Sequence, residues 1–266
     1  MATLPGMTRL ALAVEYEGSD FLGWQRCSHG ATVQSEVEEA LSFVAGQPVT
    51  VMAAGRTDSG VHGLDQLLHF DAPVERSSRS WLLGANSRLP RSIVVTWLGP
   101  VADDFHARFS ARRRRYRYEI LNRSVRPGLY ARFQTWERLP LAAERMHEAA
   151  QALLGEHDFT SFRALSCSAR RPFRSVHDVS VCRDGERVLI EIEANAFLHH
   201  MVRNIAGSLI LVGRGERPPQ WLGEVLAARR RDLAGPTAPA RGLIFLGPRY
   251  PAGLGLPARF EDSSLA

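Results

Sequence analysis

Hydrophobic residues recur along this chain with two alternating periods, one of two residues and one close to 3.6 residues. The shorter period predicts strands and the longer period predicts amphipathic helices. In the first hundred residues, strands are predicted at 9–15, 49–54, 66–70 and 93–98, and helices at 32–45 and 78–89. The predicted order of elements is therefore β-α-β-β-α-β.

The second half of the chain repeats that order with one additional helix. Strands are predicted at 115–121, 176–182, 188–193 and 243–250, and helices at 141–154, 199–212 and 219–229. Two such units predict an α+β fold of two ferredoxin-like halves, whose sheets join around a central cleft. We expect the halves at 1–104 and 105–250. Residues 251–266 contain early Gly and Pro breaks and no period, which predicts a flexible tail.

Composition and charge narrow the class of protein. The 266 residues carry a net charge of +5 with 45% apolar side chains, which is typical of a globular protein. No apolar run approaches the roughly 20 residues that cross a membrane, and the first residues lack the basic region of a signal peptide. The three cysteines are widely spaced and form no disulfide framework. We therefore expect a cytoplasmic protein without a membrane partner.

The chain contains no lysine, so all 33 of its basic residues are arginine. Schiff-base chemistry and the Walker A loop both need a lysine, and both are excluded. We expect no cofactor, with nucleotide cofactors included, and no metal. Each cation that remains is a planar, permanently charged fork suited to phosphate.

The densest charge lies between Phe105 and Asn122, in FHARFSARRRRYRYEILN. Six of the ten residues from Arg108 to Arg117 are arginine and none is acidic. Arginine binds phosphate and tyrosine stacks on bases, so the segment favours a nucleic-acid surface built on Arg112, Arg113 and Arg114. A solvated charged face is the alternative. Further arginines cluster at 163, 170, 171 and 174, and at 229–231.

A second candidate for chemistry is the loop AAGRTDSGVHG, residues 53–63. Gly55 and Gly60 permit a tight backbone that presents Arg56 and Asp58 between two strands. A carboxylate beside arginine stays ionised and can act as a nucleophile. An ordinary Thr-Asp-Ser-Gly turn is the alternative. The Asp-Ser-Gly triplet also occurs in aspartic proteases, but a second copy of that turn is missing here.

The third candidate is AFLHHMVRNIAG, residues 196–207, in which Arg203 is the one charge of a long apolar stretch. A buried arginine needs an anion, and Asp58 or a phosphate could supply it. The adjacent His199 and His200 would point about 100° apart on a helix, so they do not suit one metal ion.

At these segments the chain resembles the tRNA pseudouridine synthase A family, the tRNA pseudouridine(38–40) synthases. The matching segments run in family order from about residue 9 to 251, and they are VEYEGSDFLGWQR, TVQSEVEEAL, AGRTDSGVH, FHARFSARRRRYRY, HDFTSFR, AFLHHMVRNIAGSL and AGPTAPARGL. Asp65 departs from the family pattern, which commonly has glycine before Gln66.

The resemblance implies a role for each matching residue. Asp58 would be the nucleophile, and Arg56 would help to extrude or hold the flipped nucleotide. Tyr116 would lie against the target base, Arg203 would pair with Asp58, and Leu243 would line the pocket. The implied protein is a homodimeric isomerase that binds the anticodon arm of tRNA and converts uridines 38, 39 and 40 to pseudouridine. Attack at ribose C1′ and attack at uracil C6 both stay open.

An RNA-binding module without chemistry is the competing interpretation, because RNA-recognition domains share the β-α-β-β-α-β order. Those domains place aromatic residues in a Gly-Phe-rich strand, and no such segment occurs here. Asp58 and Arg203 also have no evident purpose in binding alone.

Overall fold

The computed structural model describes residues 8–265 and divides into two compact units. The first comprises the chain up to Arg114 together with the chain from Phe245 onward, and the second comprises Arg115–Ile244. The strands are β1 (Thr8–Tyr16), β2 (Met52–Ala53), β3 (His62–Ala72), β4 (Ile93–Pro100), β5 (Arg113–Asn122), β6 (Thr135–Glu137), β7 (Gly155–Asp158), β8 (Phe173–Asp184), β9 (Arg187–Ala194) and β10 (Leu243–Arg249). The helices are α1 (Val33–Ala45), α2 (Ser78–Asn86), α3 (Ala143–Ala150), α4 (Met201–Gly213) and α5 (Trp221–Ala228).

The first unit has the strand order β4-β1-β3-β10, with β2 paired to β3. β1 is antiparallel to both of its neighbours. Helix α1 begins at a capping box, in which the Thr32 side chain accepts from the backbone N–H of Ser35. This arrangement confirms the predicted β-α-β-β-α-β order of the first half.

Both faces of β1 are buried, and the two faces carry residues of different size. Leu10, Leu12 and Val14 face the core beneath α1 and α2. Ala11 and Ala13 face a second apolar cluster that contains Phe105, Tyr250 and Phe260. The small alanine side chains leave room for these rings on the second face.

The chain after Pro251 differs from the predicted flexible tail. Phe260 is 1% exposed, and its carbonyl accepts the backbone N–H of Tyr250 at 2.9 Å. The backbone N–H of Asp262 donates to the carbonyl of Tyr250 at 2.9 Å. Single apolar residues between glycines and prolines produce no period, so their burial leaves no local signature.

The second unit has the strand order β5-β9-β8-β7, and β6 runs parallel to β5. β8 and β9 form the predicted hairpin, with Asp184 opposite Arg187. The short strands β6 and β7 were not predicted, because three and four residues are too few to establish a period. Together the helices and sheet strands confirm the α+β class.

The boundaries of the two units differ from those of the predicted halves, 1–104 and 105–250. The chain between β4 and β5 packs onto the first unit, where Phe105 and Ala107 are fully buried. The chain from Phe245 returns to that unit and brings most of β10 with it. Among the described residues, no helix has the length and apolarity to cross a membrane.

Candidate active site

Asp58 lies in the first unit, on the loop that connects β2 to β3. The Asp58 side chain is half-buried, whereas the Arg56 side chain is exposed. No carboxylate of the described part of the chain lies within 4 Å of the Arg56 guanidinium. The loop therefore presents a partly sheltered carboxylate beside an arginine that is available to a ligand.

Backbone hydrogen bonds tie this loop to the turn between β1 and α1. The backbone N–H of Trp24 donates to the carbonyl of Thr57 at 3.0 Å, and the Ser59 hydroxyl donates to the carbonyl of Phe21 at 3.1 Å. Within the loop, the backbone N–H of Val61 donates to the carbonyl of Asp58 at 3.1 Å. The backbone on either side of Asp58 is thus held in place.

Buried polar side chains support the loop from β1 and β3. The Tyr16 hydroxyl lies 2.8 Å from Thr57 Oγ1, and the Gln66 amide donates to the carbonyl of Gly55 at 2.7 Å. Tyr16 is fully enclosed, and this burial raises the pKa of its hydroxyl far above the ordinary value, so the group remains protonated. Sequence reasoning missed Tyr16 and Gln66 as site residues, since their contacts depend on how the strands pack.

The close packing beneath the loop requires glycine at two positions. Gly23 has φ of +91°, and a Cβ there would lie 2.8 Å from the carbonyl oxygen of Thr57. A Cβ at Gly63 would lie 2.4 Å from the ring of Tyr16. A side chain at Gly23 would displace the backbone around Asp58, and one at Gly63 would displace the Tyr16 ring that supports the loop.

The predicted phosphate-binding arginines are in different environments. Arg112 is exposed, whereas the guanidinium of Arg113 lies 3.9 Å from the carboxylate of Asp262. Arg114 donates to the carbonyls of Ala54 at 3.1 Å, Ala111 at 2.9 Å and Arg108 at 2.6 Å. The Arg114 side chain therefore braces the backbone that leads into the Asp58 loop.

Tyr116 lies in the second unit on β5 and is largely buried. Its ring meets the ring of Phe197 edge to face, with the centroids 5.0 Å apart and the planes at 86°. This packing fixes the orientation of the Tyr116 ring. Phe197 lies in the AFLHHMVRNIAG segment, but no sequence signal pairs it with Tyr116.

Arg203 lies on α4, and its Nε donates to the carbonyl of Ala238 at 2.8 Å. In return, the backbone N–H of Ala238 donates to the carbonyl of Arg203 at 3.1 Å. The hydroxyl of Tyr118 donates to the carbonyl of the next residue, Pro239, at 2.8 Å. The segment before β10, which leads to the buried Leu243, thus orients the Arg203 side chain.

Helix α4 begins two residues later than predicted, so His199 and His200 precede it. His200 adopts a left-handed backbone with φ of +61°, and the two imidazole rings lie 4.0 Å apart. A turn at this position ends the extended chain after β9 and starts the helix that carries Arg203. The hydrophobic period predicted a helix that includes residues 199 and 200, because histidine does not interrupt such a period.

A polar network secures the loop 234–239 against α4. The guanidinium of Arg231 donates to the carbonyl of Gly235 at 2.9 Å and to Asn204 Oδ1 at 3.1 Å. The hydroxyl of Thr237 also donates to Asn204 Oδ1, at 2.6 Å. Gly207 permits the approach, since a Cβ there would lie 1.8 Å from the carbonyl of Pro236.

These features define an α+β protein that presents a carboxylate on a loop held by hydrogen bonds. Arginine-rich segments lie at other positions of its sequence. A family model described as tRNA pseudouridine synthase matches residues 12–110 and 149–251. The chain therefore belongs to the tRNA pseudouridine synthase family.

Two curated relatives are similar over almost their whole length. The tRNA pseudouridine synthase A of Stenotrophomonas maltophilia (strain R551-3) is 58% identical over 251 residues, covering 94% of this chain and 98% of the relative. The protein of the same name from Xanthomonas euvesicatoria pv. vesicatoria (strain 85-10) is 57% identical over 252 residues, with the same coverage.

Proposed function

We propose that this protein isomerises uridine to pseudouridine in the anticodon arm of tRNA, at positions 38, 39 and 40, with Asp58 as the nucleophile. Its membership of the tRNA pseudouridine synthase family and the names of its relatives support this substrate and reaction. The observation that carries the assignment of Asp58 is its place on a loop that three other segments brace: the 21–24 turn, Tyr16 on β1 and Gln66 on β3.

The reaction requires a nucleophile of this kind. The target base must leave the helical stack before a side chain reaches it. A carboxylate oxygen of Asp58 then attacks ribose C1′ or uracil C6, and the bond from N1 to C1′ breaks. The uracil rotates and its C5 forms a bond to C1′, while the bond between Asp58 and the substrate breaks and frees the carboxylate. The C5 proton leaves to a base and N1 takes up a proton, so the product is an isomer of the substrate and the balance needs no oxidant or reductant.

The braced loop favours this chemistry because a nucleophile that is already oriented avoids an entropic cost in the transition state. Hydrogen bonds fix the backbone at Thr57 and Asp58 before any substrate arrives. Arg56 is exposed and free of a carboxylate within the described residues, and we assign it to holding the extruded nucleotide through its phosphate.

The second unit supplies the remaining roles in the proposal. Tyr116 offers an aromatic surface, braced by Phe197, on which the target base stacks. Arg203, oriented by Ala238, supplies positive charge for the nucleophile, and Leu243 lines the base pocket. We place the enzyme in the cytoplasm as a homodimer, in keeping with its substrate and with the resemblance described above.

The test is release of tritium from tRNA that carries uridine labelled at C5. The wild-type protein should release the label, and Asp58→Asn should reduce release below detection while tRNA affinity stays within a few-fold. Asp178→Asn is the matched control, because it makes the same chemical change at an exposed position and should leave release unchanged.

Two results would count against the proposal. Substantial tritium release by Asp58→Asn would mean that another carboxylate is the nucleophile. Binding of tRNA by the wild-type protein without any release would favour the binding module instead.

A further inference from the structure

A second group of arginines lies in the second unit, on residues 163–174, which run from the end of a short 3-10 helix at Thr160–Phe162 into the first two residues of β8. The sequence of this segment is RALSCSARRPFR, which contains four arginines and no acidic residue. We call it the arginine strap.

The strap differs from the rest of its unit in how its charges are compensated. Several other arginines of the second unit have a carboxylate partner, as Arg117 has Glu191 at 2.6 Å and Arg123 has Glu186 at 3.0 Å. Arg170 and Arg171 are exposed, and neither has an ion-pair partner in the described part of the chain.

The other two strap arginines, Arg163 and Arg174, donate hydrogen bonds to the backbone of the strap itself. Arg163 donates to the carbonyl of Cys167 at 2.5 Å, and Arg174 donates to the carbonyls of Arg171 at 3.0 Å and Phe173 at 2.6 Å. Arg174 Nε is buried without a hydrogen-bond partner in the described structure. Burial and the nearby Arg163 lower the pKa of Arg174. Like charges thus crowd together without an anion, an arrangement that a bound polyanion would stabilise.

The strap is joined to the segment that carries Phe197, the residue whose ring packs against Tyr116. The backbone N–H of Ala164 donates to the carbonyl of His199 at 2.9 Å, and the Ser166 hydroxyl lies 3.3 Å from His199 Nδ1. Two residues before His199, the ring of Phe197 packs against Tyr116. The segment that bears the uncompensated charge is therefore tied, through Ala164 and Ser166, to the segment whose Phe197 packs against Tyr116.

We propose that the arginine strap, through Arg170 and Arg171, binds backbone phosphates of the tRNA strand that carries the target uridine. This proposal rests on the proposed function for the identity of the RNA. The proposal assigns to the strap part of the phosphate binding that the sequence predicts for residues 112–114. In that predicted site, Arg113 lies near the Asp262 carboxylate and Arg114 donates to backbone carbonyls. The ligand chemistry is a row of phosphodiesters, which planar guanidinium groups bind through paired hydrogen bonds.

The experiment compares two double variants of the full-length protein. Arg170→Ala/Arg171→Ala removes the two exposed strap charges. Arg126→Ala/Arg138→Ala removes the same charge from exposed positions of the same unit that lie outside the strap and have no carboxylate partner in the described residues. Binding of fluorescently labelled tRNA is measured by anisotropy from about 50 to 300 mM NaCl, and pseudouridine formation is measured by tritium release.

The strap variant should lose about 1.4 to 1.8 units from the log–log salt slope of binding, since each of the two lost phosphate contacts removes about 0.7 to 0.9 of a unit. Its Kd at about 200 mM salt should rise by about tenfold or more, and its KM for tRNA should rise with it. The control variant should keep the wild-type slope and change Kd by less than about twofold.

An unchanged slope and Kd in the strap variant would overturn the proposal. Equal losses in both variants would also overturn it, because they would show an effect of net charge alone. Tritium release by the wild-type protein reports the proposed function separately, so failure of the strap and failure of the isomerase assignment are distinguishable.

Discussion

The hydroxyl of Tyr16 lies 2.8 Å from the hydroxyl of Thr57, the residue before the proposed nucleophile. Both side chains are buried, and they are 41 residues apart in the sequence. The contact links the end of β1 to the loop that presents Asp58. We therefore expect Tyr16 to act as a positioning residue, whose effect on the proposed reaction passes through the loop.

Tyr16→Phe should lower kcat by about tenfold while tRNA affinity stays within a few-fold, because small displacements of a nucleophile are costly in the transition state. Loss of the hydroxyl should also lower the free energy of unfolding by about 1–2 kcal/mol. Single-turnover kinetics and urea denaturation measure the two effects.

Tyr250→Phe provides the control for this prediction. Tyr250 is equally buried in the same unit and donates its hydroxyl to the carbonyl of Ala107 at 2.6 Å rather than to a residue of the Asp58 loop. It should lose similar stability and keep its kcat. An equal loss of kcat in both variants would mean that lower stability of the unit, rather than loss of the contact with Thr57, slows the reaction.

A chain that ends at Pro257 should be less stable than the full chain. The truncation removes the buried Phe260 ring, and loss of a buried Phe costs about 3–5 kcal/mol. For a protein of this size, Tm should fall by about 6–15 °C. A chain that ends at Asp262 keeps Phe260 and should melt close to the full-length protein. Equal melting temperatures for all three chains would contradict the packing of this segment.

Arg259 joins the same C-terminal segment to β3, where its Nε lies 3.1 Å from the Asp65 carboxylate. Asp65 is 21% exposed and Arg259 is 42% exposed, and burial raises the pKa of Asp65. Arg259→Gln should therefore destabilise more than Asp65→Asn, because it leaves the less exposed charge without its partner.

A double-mutant cycle measures this coupling, for which we expect about 0.5–1 kcal/mol after solvent screening. Asp65→Asn should retain pseudouridine formation, since Asp65 serves to hold the C-terminal segment. A coupling energy of zero, or loss of the reaction in Asp65→Asn, would contradict this role.

His69 should make stability depend on pH in the mildly acidic range. Its Nδ1 accepts the backbone N–H of Ala107 at 3.1 Å, and its ring packs against His106. Burial, followed by the nearby His106, lowers the pKa of His69 to about 4, against an ordinary value near 6.5. Between these values the unfolded chain binds a proton that the folded protein does not. The free energy of unfolding should therefore decrease as pH falls from about 6.5 to 4, by up to roughly 3 kcal/mol.

Urea denaturation at several pH values across that window tests this prediction. His69→Gln keeps a hydrogen-bond acceptor and does not titrate, so its stability should depend less steeply on pH. The same pH dependence in both proteins would assign the effect to other groups.

The order of the main helices and strands is predicted from the amino-acid sequence alone, and so is the loop that carries Asp58. Both are local properties. Periods of two and 3.6 residues follow from the geometry of one strand or one helix, and the Gly-bracketed loop lies within eleven residues. The absence of lysine likewise restricts the possible chemistry without reference to any fold.

Which arginines have a partner for their charge depends on how distant parts of the chain pack together. In the sequence, Arg113 and Arg114 and the strap residues Arg170 and Arg171 look alike, since each belongs to a basic cluster without acidic neighbours. The partners of the first pair, at Asp262 and Ala54, lie 149 and 60 residues away along the chain. Pairings of this kind depend on how strands and loops pack, so no local pattern could reveal them. The same reason applies to Tyr16 beneath the Asp58 loop and to the burial of Phe260.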